Sequence, residues 1–198
     1  GGSMIYGYFG LPRVGKTYTA CYRAYLEMKK GRSVYSNIPL RGAFFLDVER
    51  LGSEFYLKPH SLVFIDEIQW YANSRQWQNL ADGLYFLFSQ SGKMSIDLLY
   101  TAQDSSRVDK TLREVTNIFY QVHRYGRLLV YDVYYNNVDY SLQRNNKRTF
   151  GIMRRWFWAY FDTSYWVTRS DFVRPAVPDK EWRFTGEKWE VVPVDNSL

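Results

Sequence analysis

The chain has 198 residues, one domain's worth at roughly 100–200 residues per domain, and its 46% hydrophobic and 23% charged residues exclude general disorder. A formal charge of +6 and a pI near 9.3 suit polyanions such as nucleic acid or an anionic membrane face. One cysteine, Cys21, excludes an intrachain disulfide and fits a reducing, cytoplasmic setting, and no apolar run approaches the roughly 18 residues of a membrane-spanning helix.

Residues 1–3, Gly1-Gly2-Ser3 ahead of Met4, read as a cloning scar. Ile5 to Phe9 then predicts a strand. A glycine-rich turn follows, then a helix over Thr17 to Lys30 that stops at Gly31. Ser33 to Ser36 predicts a short strand closed by Asn37-Ile38-Pro39. Leu62 to Ile65 is continuously apolar, as in a parallel strand buried on both faces. Leu80 to Phe88 has near-helical spacing, and Ile96 to Thr101 predicts another strand. Val108 to Glu114 predicts a short helix and Asn117 to Val122 a strand. Leu128 to Tyr134 alternates after Tyr125-Gly126-Arg127, the pattern of a hairpin. Strands alternating with helices imply an α/β core over residues 4–135.

Residues 136–198 differ in character and are expected to be an appendage. Arg144, Lys147, Arg148, Arg154 and Arg155 occur with no acid between Tyr140 and Phe161. From Phe172 onward, prolines among alternating Trp, Phe and charged residues predict an irregular or short-stranded tail. The Arg144 to Trp158 stretch fits three roles: cations tracking a phosphate backbone while Trp156, Phe157 or Trp158 stack on bases, a contact with anionic lipid, or a solvated face over an apolar patch.

Gly10-Leu11-Pro12-Arg13-Val14-Gly15-Lys16-Thr17 fits G-x-x-x-x-G-K-[ST], the phosphate-binding P-loop. Backbone N–H groups must turn inward around phosphate oxygens, which glycines permit, and the following helix presents its positive dipole end. Lys16 would reach the β and γ phosphates, and the Thr17 hydroxyl would bind Mg²⁺. The motif sits between a strand and a helix, as this chemistry requires.

Leu62-Val63-Phe64-Ile65-Asp66-Glu67 is an apolar strand ending in two acids, the Walker B pattern. Asp66 would hold Mg²⁺ through water and Glu67 would polarise the attacking water. The second acid favours ATP hydrolysis over phosphoryl transfer to a small molecule, and no Asn-Lys-x-Asp guanine-reading motif is present. Gln103 closes Leu98 to Ala102 as a candidate γ-phosphate sensor. Arg75, between Trp70 and Trp77, is the first choice for an arginine supplied to a neighbouring subunit's site. Arg107, Arg113 and Arg124 are the other candidates. His60 and His123 have no local partners in sequence and read as structural or surface residues.

In order along the chain come the P-loop, Tyr35-Ser36-Asn37-Ile38-Pro39, Phe64-Ile65-Asp66-Glu67-Ile68-Gln69-Trp70, Asn73-Ser74-Arg75-Gln76-Trp77, and Gln103-Asp104 followed by Val108-Asp109-Lys110 and Arg113. This series resembles the filamentous-phage assembly ATPases, or Zot (zonular occludens toxin) family, of the FtsK/HerA-type branch of P-loop motors. The resemblance covers roughly residues 4–135. It implies a RecA-like P-loop fold with a mostly parallel central sheet flanked by helices, ATP and Mg²⁺ as cofactors, and a homo-multimeric ring. It also implies phage or viral DNA as the moving partner, with coat proteins and the cytoplasmic face of the inner membrane as further contacts. Family members usually continue into a membrane span and an outer domain, and no such span is seen here. A second resemblance is to the genome-packaging ATPases of icosahedral viruses with internal membranes. Other readings are a nucleotide-gated assembly module without turnover and, weakest, a small-molecule kinase.

Overall fold

A strand with no polar position must be covered on both faces. In the computed structural model Leu62, Val63, Phe64 and Ile65 (β4, Leu62–Ile65) are all buried. The structure describes residues 3–46, 48, 57–71, 82, 95–136, 142–163, 180–185 and 188–193. Beside β4 lie β1 (Ile5–Phe9), β2 (Val34–Ser36), β3 (Phe44–Phe45), β5 (Asp97–Ala102) and β6 (Ile118–Tyr125). These six strands run parallel in the order β6-β1-β5-β4-β2-β3. Antiparallel strands extend both flanks. On one side are β7 (Leu128–Asn136) and β8 (Leu142–Ile152), and on the other β10 (Lys188–Pro193) and β9 (Lys180–Thr185). The basic stretch after residue 136 therefore begins as a sheet strand.

Alternating residues separate the two cores. Ile5, Val63, Ile65, Leu98, Tyr100 and Phe119 share one face with Val108 and Leu112. Tyr8, Leu62, Phe64, Leu99, Val122 and Leu129 share the other with helix α1 (Lys16–Lys29). The helix buries Ala20, Cys21 and, one turn on, Ala24 completely, and their small side chains let it lie close to the sheet. Its flank carries Tyr18, Tyr22 and Tyr25, whose rings pack on Phe157 at 5.5, 5.1 and 5.4 Å. Phe157 is the buried centre of the 3₁₀ turn Arg155–Tyr160, and Trp156 and Trp158 beside it stay half-exposed.

The end of α1 is a Schellman motif: Gly31 N–H donates to Met28 O and Arg32 N–H to Glu27 O. Arg32 then spreads its guanidinium over the start of the sheet. It pairs with Asp97 (2.8 Å) and Glu27 (3.2 Å) and donates to the carbonyls of His60 and Ser61. Boundaries differ from the sequence reading for local reasons. The short helix α2 is Lys110–Val115, because Asp109 accepts the Thr111 N–H as its cap and leaves Val108 extended and buried. β6 runs on to Tyr125 because β7 pairs with its whole length. That hairpin also gives His123 a partner that its local sequence does not show, the Asp132 carboxylate at 3.2 Å. Of the helix expected over Leu80 to Phe88, Asp82 alone is among the described residues, and it is helical and exposed; the rest lies outside them.

Candidate active site

The carboxyl ends of β1, β4 and β5 meet at one edge of the sheet, the usual place for a ligand crevice in an open α/β sheet. β1 runs directly into the Gly10–Thr17 loop, which delivers its last residues to the start of α1. Gly10 and Gly15 have φ of 148° and 95°. A Cβ at Gly10 would lie 2.8 Å from the Val122 carbonyl oxygen, and one at Gly15 would lie 2.9 Å from Leu129 Cδ2. Glycine is therefore required twice, by backbone angle and by crowding. Arg13 also has a positive φ, 65°. Leu11, Pro12 and Arg13 form the exposed rim, while Val14 tucks against the core.

Lys16 is buried, and its Nζ donates to the Leu11 carbonyl across the loop at 2.9 Å. Burial lowers its pKa, opposed by the neighbouring Glu67 and Asp66. Thr17 Oγ1 donates to Asp66 Oδ1 at 2.8 Å, so residues 49 apart in sequence meet at one point. Thr101, from β5, donates to the same Oδ1 at 2.7 Å. Burial pushes the Asp66 carboxyl up to about 6, and the two hydroxyl donors act against that rise.

Glu67 follows with φ 51°, a left-handed backbone that a non-glycine residue adopts only when its surroundings impose it. Its N–H donates to Thr101 Oγ1 at 2.8 Å, and its carboxylate accepts from Gln69 Nε2. Thr101 therefore joins both acids. Asn37, just past β2, holds the Asp66 peptide from the other side. Its Oδ1 accepts the Asp66 N–H at 2.7 Å and its Nδ2 donates to the Asp66 carbonyl at 3.1 Å.

Gln103 leaves β5 beside the entry to the loop, because Ala102 is in register with Phe9. Its Oε1 accepts from Arg107 Nη1 at 3.1 Å. Arg124 donates to the Gly126 carbonyl and, at 3.4 Å, to the carbonyl of Arg13 in its own chain's loop. Arg75 lies outside the described residues. The sequence motifs did not identify Thr101 and Asn37 as members of the site. Each is a polar residue closing an apolar strand, and that signal gains meaning only once β5 and β2 are known to flank β4.

The loop has the glycines, the inward lysine and the helix start that a phosphate cradle requires. The paired hydroxyl and carboxylate oxygens of Thr17 and Asp66 are hard donors of the kind Mg²⁺ takes, so the donor set fits that cation.

No family model matches the chain, and no curated protein matches it. Solved structures do. The N-terminal domain of zonular occludens toxin from Neisseria meningitidis superposes with a TM-score of 0.55 at 14% identity, covering 82% of this chain and 100% of that one. The genome packaging NTPase B204 from Sulfolobus turreted icosahedral virus 2, in complex with ATP-γS, gives a TM-score of 0.47 at 10% identity, covering 71% of this chain and 95% of that one. The chain has the P-loop NTPase fold, an α/β fold with a mostly parallel sheet, and shares it with the Neisseria domain.

Proposed function

We propose that the chain is an ATP-hydrolysing P-loop ATPase of virion assembly or genome packaging, which couples turnover to movement of DNA. One observation carries the reading: the Thr17 hydroxyl, the Asp66 carboxylate and the buried Lys16 converge at the mouth of the P-loop, with Glu67 next in the chain. The order of motifs resembling the phage assembly ATPases supports an assembly role, and the fold shared with the Neisseria domain agrees with that resemblance. In this reading the loop N–H groups and Lys16 bind the β and γ phosphates, Thr17 and Asp66 hold Mg²⁺, and Gln103 reads the γ-phosphate. Glu67 accepts a proton from the attacking water as general base. The cation, when bound, neutralises charge building on the phosphoryl oxygens. No helix among the described residues is long and apolar enough to cross a membrane.

The test is ATP turnover and binding by wild type, Lys16→Ala and Glu67→Gln, with and without single-stranded DNA. Lys16→Ala should lose nucleotide binding. Glu67→Gln should keep it and lose at least about 100-fold in turnover. Normal hydrolysis by Glu67→Gln overturns the assignment of the base. Tight binding by wild type with no turnover, with or without DNA, replaces the motor with a nucleotide-gated assembly module.

A further inference from the structure

Backbone pairing between β2 and β4 ends at Ser36 and Phe64, followed by a last bond from Asn37 N–H to Phe64 O at 3.4 Å. Beyond that point the Asn37 side chain takes over the role of a strand. A primary amide presents one carbonyl acceptor and two N–H donors. In Asn37, Oδ1 takes the Asp66 N–H (2.7 Å), while Nδ2 donates to the Asp66 carbonyl (3.1 Å) and to the Tyr71 hydroxyl (3.0 Å). Asp66 and Tyr71 are the two ends of the segment that carries Glu67: a turn, then the 3₁₀ helix Ile68–Tyr71. Asn37 is itself buried, so water does not compete for these bonds. Inside the segment Glu67 stands at φ 51°, and Trp70 N–H donates back to the Glu67 carbonyl.

We propose that Asn37 is the positioning residue of this site: its amide pins both ends of the Asp66–Tyr71 segment and so sets where the Glu67 carboxylate points. The inference rests on the reading of Glu67 as general base and adds to it the residue that aims that base. It separates two jobs. Phosphate contacts belong to the P-loop, to which none of the Asn37 amide bonds runs, so loss of the amide should spare affinity for Mg²⁺-free nucleotide and reduce turnover. The Tyr71 hydroxyl is the acceptor at the far end of the segment, so removing it should loosen that end and leave the two bonds to Asp66 in place.

The experiment compares wild type, Asn37→Ala and Tyr71→Phe in the 198-residue chain. The readouts are kcat, the Kd for a fluorescent ATP analogue without Mg²⁺, and backbone amide hydrogen exchange over residues 66–71. Asn37→Ala should lower kcat by about 100-fold, the scale of a misaimed catalytic group. Its Kd should stay within about threefold, and the Asp66 amide should exchange at least about tenfold faster, since one hydrogen bond of protection is lost. Tyr71→Phe keeps the ring and should lower kcat by about 3–10-fold. A kcat for Asn37→Ala within twofold of wild type overturns the proposal, and so does a Kd that weakens in step with kcat. If Asn37→Ala does not fold, Tyr71→Phe decides: unchanged turnover and unchanged exchange in residues 66–71 overturn the pinning. If wild type binds nucleotide without turnover, the ATPase reading fails, and the exchange data still judge the pinning.

Discussion

At the scale of single residues, the Asp66 carboxyl is held near 6 by burial, above the ordinary 3.8. A carboxyl raised in the folded state binds its proton more tightly there than in the unfolded chain. Its stabilising contribution is complete below pH 3.8 and is lost as pH rises through about 6. At neutral pH the nucleotide-free protein therefore bears a cost on the order of 2–3 kcal/mol for ionising Asp66. Asp66→Asn keeps an acceptor for Thr17 and Thr101 and removes the charge. It should raise the melting temperature of the nucleotide-free protein at pH 7 and flatten its fall between pH 4 and pH 7. The same substitution should abolish stabilisation by Mg²⁺ with ATP, because an amide is a poor partner for a divalent cation. Thermal scans across pH, with and without nucleotide, check both outcomes. A variant melting below wild type at pH 7 in the absence of nucleotide would contradict the assignment. Identical pH slopes would contradict it equally.

Secondary-structure elements are tied together at the end of the sheet opposite the site. Arg32 follows the Schellman turn of α1 and joins Glu27 on the helix, Asp97 at the head of β5, and the two carbonyls that precede β4. Asp97 Oδ1 also accepts the Met4 N–H, so the entry to β1 belongs to the same knot. Arg32 is partly shielded, and its bonds are charge-assisted and bifurcated over several acceptors. Arg32→Met should keep the stem and lose the fork, at a cost of about 1–3 kcal/mol. The urea midpoint should fall with an unchanged slope, while nucleotide affinity at the far edge of the sheet changes little. A midpoint equal to that of wild type would reduce the knot to a solvated ion pair.

For the whole molecule, the question is what one copy lacks. Arg107 and Arg124 are bonded within the same chain, to Gln103 and to the Arg13 carbonyl. Arg75 stays the first choice for an arginine reaching a neighbour's γ-phosphate. Arg75→Ala and Lys16→Ala should each be inactive alone. Mixed, they should regain a measurable part of turnover, because an interface between them joins an intact P-loop to an intact arginine. Turnover of wild type should also rise more than linearly with protein concentration. Linear turnover with no complementation would place the stabilising cation in the same chain. Stimulation by DNA should fall steeply with added salt if the +6 charge is used for phosphate contacts.

Much of this was legible along the chain. The apolar run Leu62 to Ile65, the glycine spacing around Lys16 and the stop at Gly31 follow from local rules: burial on both faces, backbone room around phosphates, and helix capping. Those rules alone determined the α/β class, the P-loop and the two acids after β4. They could not determine who stands beside whom. Thr17 reaches Asp66 because the start of α1 and the end of β4 meet at one edge. Thr101 spans Asp66 and Glu67 because β5 is the neighbour of β4 on one side. Asn37 pins the Asp66 peptide because β2 is its neighbour on the other. Sequence periodicity reports which face of a strand is buried, whereas strand order arises from how long connections fold back. The tertiary structure therefore decided how the site is braced: β4 presents the acids, and the strands flanking it supply the side chains that hold them.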